Sequence, residues 1–347
     1  QNLFGAERMK KLFFALLYGT GVTRLVGWFH RRQAVFLCYH SVTRLSQAIP
    51  HELKLHMPLA LFAAHLDYLQ RHCRVIPLAE YLAARREGRR LPDRSVVLTF
   101  DDGTRNFLTV VAPLLVERGL SATAFVITKC AAEREGFRPG EEWALADDYM
   151  RLSWAEVRAL ASMPGIEIGS HSHTHMDLTS AAPEEVEREL RDSYEAVREH
   201  TGNARPALAY PYGRTSEAVS ETARALGYSC ALTSTLGGND ARTDLYGLRR
   251  VVVAGDDDVA TFAARVSGVT WLYGRARAFF SRLRRRASGG AGVEAGGARV
   301  GGSDGPAHAR VGRTNAARDQ EPSRLVQMKK PSSGSIPYSR ASSGGGR

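Results

Sequence analysis

The sequence predicts an α/β chain folded as a distorted (β/α) barrel of about seven parallel strands. Short apolar runs rich in β-branched and aromatic residues alternate with helically spaced segments from Val35 to about Gly274. Seven or eight such strand–helix units fit in about 240 residues, which suits a barrel, with a doubly wound open sheet as the alternative. Hydrophobic residues make up 44% of the 347 and charged residues 24%, enough apolar material for a sizeable core.

Residues 10–32 come first, as KKLFFALLYGTGVTRLVGWFHRR. The run Leu12–Tyr18 is too short and too soon interrupted by Gly19, Gly21 and Arg24 to span a membrane. No small-residue cleavage site follows it, so a secretion signal is not indicated. Two readings stand: an amphipathic helix lying on a membrane, and a helix packed on the domain.

VFLCY (35–39) reads as a strand, and LFAAHLDYLQRH (61–72) as a helix with Leu61, Phe62, His65, Leu66 and Leu69 on one side. SVVLTF (95–100) is a strand of the fully buried type, and FLTVVAPLLVERG (107–119) a helix stopped by Gly119. ATAFVIT (122–128) is a strand. Ser153 and Glu156 stand at capping-box spacing at the head of the next helix. IEIGS (166–170) is a strand. Residues 183–202 make a long helix with Pro first, acids in the first turn and Gly last. ALAYPYG (207–213), TSEAVSETARALG (215–227), SCALT (229–233) and LRRVVV (248–253) complete the alternation. Beyond Arg286 the chain is rich in Gly, Ser, Ala and Arg, a composition that favours disorder. The chain therefore divides into a basic amphipathic helical region (1–34), an α/β domain (35–274) and a basic, Gly/Ser-rich tail (275–347).

The net charge of +11 is unevenly placed. Residues 1–34 carry +5, 275–286 carry +6 and 287–347 carry +5, which leaves 35–274 at −5. A nucleic-acid enzyme puts its positive charge on the folded domain, so no nucleic-acid partner is expected. Basic ends beside apolar residues suit peripheral membrane contact through residues 10–32. Cys38, Cys73, Cys130 and Cys230 show no CxxC spacing and read as free thiols, three of them in apolar runs.

Three segments carry chemistry, each after a predicted strand. LTFDDGTRN (98–106) ends a buried strand in Asp101 and Asp102; alone, DDG is more readily a turn at a strand exit than a site. IGSHSHTHMDL (168–178) places His171 and His175 four apart, so that on a helix or a strand both reach one ion, with His173 pointing away on a strand. AYPYG (209–213) is a sharp turn able to aim a backbone N–H into a site. Two histidines and a carboxylate form a common zinc set with an open position, and a second carboxylate supplies a general base. The permitted chemistry is hydrolysis of an amide or ester by metal-activated water.

TFDDG, SHSHTH and YPYG, in this order, resemble the polysaccharide deacetylases, the family 4 carbohydrate esterases, over residues 35–270 or so. CYHSV (38–42) is similar to the YHxV segment of a subgroup acting in exopolysaccharide synthesis. The resemblance implies removal of N-acetyl groups from a polysaccharide, one containing N-acetylglucosamine, by a monomer. It implies Asp101 as base, Asp102, His171 and His175 as ligands of a divalent metal (zinc, with Co2+, Ni2+ or Fe2+ as alternatives), and the N–H of Tyr212 as carbonyl polariser. Two departures stand out. The base-orienting Arg of many members is Ala209 here; Arg250 takes its place or is a surface or salt-bridged Arg. No histidine lies between His200 and His308, so His40 is either the general acid or a structural residue. An O-acetyl esterase, a non-sugar amidase and a non-catalytic carbohydrate-binding protein are the alternatives. The expected location is at a membrane or outside the cytoplasm, with the cytoplasm as the other option.

Overall fold

The computed structural model describes residues 2–44, 55–134 and 150–274. All lie in the first of two compact units of the chain, residues 1–291. The expected tail 275–347, with His308, lies outside the described residues.

Two helices, α1 (Asn2–Gly19) and α2 (Val22–Phe29), precede β1 (Val35–Tyr39). A small parallel pair, β2 (Ser41–Thr43) with β3 (His56–Pro58), leads into α3 (Leu59–His72). Next come β4 (Arg74–Val75), α4 (Leu78–Glu87) and β5 (Ser95–Phe100). A π-turn (107–111) runs into α5 (Ala112–Glu117), followed by β6 (Ala122–Val126), α6 (Thr128–Glu133), α7 (Trp154–Ala161) and β7 (Ile166–Ser170). The remainder is α8 (Pro183–Thr201), β8 (Leu208–Ala209), α9 (Glu217–Leu226), β9 (Ala231–Leu232), β10 (Val251–Val252) and α10 (Val259–Ser267).

The strands form one parallel sheet in the order β10-β1-β5-β6-β7-β8-β9. β4 pairs with the start of β5 through Val75 and Val96, and β6 takes the same edge further on, at Thr99 and Phe100. The segment 248–253 joins the two ends. Leu248 donates its N–H to Ala231 and accepts from Thr233, while Val253 donates to Cys38. First and last strands are thus neighbours, which an open doubly wound sheet would not allow, and the curled parallel sheet of the sequence prediction is the observed one.

Alternation along β1 separates two cores. Val35, Leu37 and Tyr39 join Phe62, Leu66 and Leu98 under the helices. Phe36 joins Val97, Phe125, Leu232 and Leu248, drawn from strands all round the ring, so this cluster fills the interior. Tyr81 of α4 meets Phe36 edge-on at 4.8 Å and closes that cluster from below.

Local chemistry follows the sequence in several places. Ser153 and Glu156 form the reciprocal capping box, and Gly202 ends α8 in the left-handed conformation. Elsewhere the two differ. The helix expected over 107–119 opens as a π-turn, because Pro113 has no N–H to give the carbonyl of Thr109; Arg44 donates to it instead, at 3.3 Å. The strand runs 207–213, 229–233 and 248–253 keep two ladder residues each. Side chains hold the rest: Arg250 Nε donates to Thr233 O at 2.9 Å, and Asn239 bonds both backbone groups of Arg249. The helices α4 and α10 went unread in the sequence because their buried stripes are small: Leu78, Tyr81 and Ala84 in one, and an Ala-rich face in the other.

Candidate active site

The three segments meet where β5, β7 and β8 end. β5 delivers Asp101, whose N–H donates to Tyr39 O at 2.9 Å, and β7 delivers His171, whose N–H donates to Val126 O at 2.8 Å. The ladder stops there and the chain turns sharply. Of the five non-glycine residues with positive φ among the described residues, four belong to this corner: Asp102, Ser172, His175 and Tyr212. Each such backbone costs on the order of 1 kcal/mol or more and persists only where its surroundings enforce it. The histidine segment is therefore neither helix nor strand, a departure from both geometries considered above. Its left-handed residues fold His175 back so that the rings of His171 and His175 lie 4.8 Å apart.

The two aspartates face different partners. Asp101 is buried and grips the fully buried Arg250 twice, Nη1 to Oδ1 at 2.6 Å and Nη2 to Oδ2 at 2.7 Å. Burial pushes the Asp101 carboxyl up, but the Arg250 guanidinium outweighs this and holds it well below the usual carboxylate range. Arg250 immediately precedes β10, the strand beside β1, and its Nε bond to Thr233 fixes the fork. The Arg thus reaches Asp101 past the single intervening strand β1, while Ala209 is a buried strand residue whose carbonyl serves His171.

Asp102 turns the other way. Its Oδ1 lies 3.6 Å from Nε2 of both His171 and His175, and Arg151 approaches its Oδ2 at 3.4 Å. Burial raises its pKa, and Arg151 leads the cations that bring it below the ordinary value. Nδ1 of His171 bonds the carbonyl of Ala209 at 2.7 Å. A carbonyl only accepts, so Nδ1 carries the proton and Nε2 offers its lone pair towards Asp102. Burial, then the nearby His171, pushes His175 down to about 4, which keeps that ring neutral as a ligand must be. The ligand atoms of Asp102, His171 and His175 all lie within 4.8 Å of one another. Two imidazoles and one carboxylate, with the His171 ring oriented by the Ala209 carbonyl, fit a divalent transition metal.

His173 leaves the cluster, its Nδ1 lying 3.0 Å from Thr128 Oγ1. His40 joins it: a ring nitrogen of His40, the Cys38 thiol and a carboxylate oxygen of Asp101 lie within 4.8 Å of one another. Nδ1 of His40 is buried with no hydrogen-bond partner among the described residues. Burial lowers the His40 pKa, and Asp102 and Asp101 offset only part of that. The Tyr212 ring covers His175 at 4.8 Å and is 42% exposed, so the site opens to solvent at this edge. The turn beneath depends on Gly213: its φ is +64°, and a Cβ there would lie 2.0 Å from Ser234 Oγ.

Several participants escaped the sequence reading. Arg151 is brought over Asp102 by an antiparallel bridge to Thr104. Glu189 of α8 braces the histidine loop, accepting from the N–H groups of His173 and Thr174 and the Thr174 hydroxyl. A signal for Glu189 was present: it falls on the stripe of Val186, Leu190 and Val197, where a carboxylate needs a partner.

Comparisons with known proteins bear on the family resemblance and the fold. Residues 88–231 match the family model described as polysaccharide deacetylase. The Bacillus subtilis protein YxkH is 24% identical over 234 residues, covering 67% of this chain and 76% of that protein. The poly-beta-1,6-N-acetyl-D-glucosamine N-deacetylase of Escherichia coli is 26% identical over 221 residues, 55% of this chain but 32% of the relative, so the chain spans about a third of its length. Among solved structures, the Streptococcus pyogenes deacetylase PplD superposes with a TM-score of 0.58 at 22% identity, over 67% of this chain and 98% of that one. At that identity the likeness shows the fold.

Proposed function

We propose that the chain, whose residues 88–231 match the polysaccharide deacetylase family model, is an enzyme of that family and hydrolyses N-acetyl groups on a polysaccharide containing N-acetylglucosamine, using a divalent metal, zinc in the first instance. One observation carries the reading: the adjacent carboxylates at the end of β5 are divided between a buried guanidinium and a pair of imidazoles. The substrate class follows the Escherichia coli relative, named for an N-acetylglucosamine polymer, and the open edge at Tyr212 suits an extended chain.

Asp102, His171 and His175 would hold the metal. When bound, such an ion polarises an acyl oxygen and lowers the pKa of water beside it. Asp101, kept ionised by Arg250, accepts the proton of the attacking water. Its depressed pKa guarantees the basic form at neutral pH at some cost in proton affinity. The N–H of Tyr212 donates to the acetyl oxygen as negative charge develops on it. His40, beside Asp101, takes up the proton that Asp101 removed from water and passes it to the leaving nitrogen, and the C–N bond breaks to give acetate and a free amine.

The test is acetate release from N-acetylglucosamine oligomers by the full chain, after chelation and again after zinc addition. Release that stops on chelation and returns with zinc is expected, together with its absence in Asp102→Ala. Metal-independent release, or an Asp102→Ala protein with full activity, overturns the scheme.

A further inference from the structure

The largest apolar side chains left in water cluster far along the chain from the candidate site residues. Among the described residues, nine of the twelve exposed large hydrophobics are Met9, Leu12, Phe13 and Leu16 on α1, Leu25, Trp28 and Phe29 on α2, and Leu272 and Tyr273. Met9, Leu12, Phe13 and Leu16 have the spacing of one helical face, as do Leu25, Trp28 and Phe29. Leu12 is 71% exposed and Phe29 66%. The opposite faces are occupied: Phe14 with Leu17 and Val26 packs against Ala264 and Val269, and Gly27 lies against Ser267. Both helices thus lean on α10 and turn apolar stripes away from it. Tyr273 adds to the α1 stripe, its ring 6.4 Å from Phe13. A surface helix ordinarily does the reverse.

Charge identifies the occupant. Arg8, Lys10, Arg24 and Arg32 are exposed around these stripes. Glu7 is the sole acid in residues 1–34, and six arginines follow within 275–286 of the sequence. A second copy would oppose its own basic rim, whereas an anionic bilayer offers apolar depth beneath negative headgroups. No single helix among the described residues is long and apolar enough to cross a membrane, and the pair bends by 76° between Glu7–Gly19 and Val22–Phe29. We infer that α1 and α2, with Leu272 and Tyr273, form a docking surface that lies in the interface of an anionic lipid bilayer and holds the barrel against it.

The experiment is co-sedimentation of the full chain with vesicles of phosphatidylcholine, with and without phosphatidylglycerol. Binding to the anionic vesicles is expected, weakened by added salt, with a blue shift in emission that Trp28→Phe reduces. Leu12→Gln with Leu16→Gln should weaken binding by about tenfold or more, and Arg8→Gln with Arg24→Gln should remove the preference for anionic lipid. Both pairs should leave the melting temperature and acetate release from soluble oligomers unchanged. The inference fails if the wild type stays in the supernatant with anionic vesicles or if the leucine pair binds as tightly as wild type. It also fails if light scattering finds a dimer that the leucine variant dissolves, since a second copy then covers the stripes.

Discussion

The end of the barrel and the N-terminal helix pair break the usual partition of side chains in opposite directions. At the strand ends Asp101, Arg250 and His171 are almost wholly removed from water. On α1 and α2, Leu12, Leu16 and Phe29 remain in it. Each arrangement forgoes stability that a neutral core or a polar surface would provide. The compensation differs. The buried charges satisfy one another within the fold, whereas no partner covers the exposed apolar stripes among the described residues. The first region is thus complete in the isolated molecule, and the second, on the docking surface we propose, becomes complete on contact with a lipid surface.

Breaking the ion pair gives the largest effect expected anywhere in this comparison. Arg250→Met leaves Asp101 buried without its cation, and should lower unfolding stability by about 3–5 kcal/mol in denaturant titrations. Activity should fall with it. Asp101→Leu combined with Arg250→Met removes both charges and should be more stable than Arg250→Met alone, because no uncompensated charge remains. An Arg250→Met protein that loses less than about 1 kcal/mol would mean that water reaches the pair.

Much of this was readable from residue order. The strand–helix alternation, the capping box at Ser153 and the ends of α8 follow from local rules, and the structure keeps them. The motif histidines and aspartates were visible as types. Their convergence was not, because it depends on left-handed backbone at Asp102, Ser172 and His175, which pattern reading does not reveal in non-glycine residues. Arg250 could be named a candidate and no more: its contact with Asp101 spans 149 positions and exists because the last strand lies beside β1. Arg151 and Glu189 act through tertiary contacts alone. On α1 the apolar residues were legible, but which of them faced outward was settled by the packing of Phe14 against α10.

Acid sharpens the contrast at intermediate size. His65 is fully buried, stacked on Phe262 at 3.9 Å and bonded through Nε2 to Asp257 O at 2.8 Å. Burial lowers its pKa to about 4, against an ordinary value of 6.5. Between those values the unfolded chain binds a proton that the folded chain refuses, so stability rises with pH across the window and is lost as pH falls from 6.5 towards 4. The slope from this one group should approach 1.4 kcal/mol per pH unit. His65→Gln should lower stability at pH 7 yet flatten that slope; an unchanged slope would assign the acid sensitivity to other groups.

The smallest effect is the most telling for the helix pair. Leu16 touches water rather than core, so Leu16→Gln should shift unfolding stability by less than about 0.5 kcal/mol. Phe14→Ala, on the buried face of the same helix, is the control that must cost clearly more. Should Leu16→Gln destabilise the isolated chain as Phe14→Ala does, the stripe is already covered in solution and the contrast between the two regions disappears. If instead stability holds while vesicle binding falls, these leucines are kept apolar for a surface outside the fold, and their exposure is explained by what they dock against.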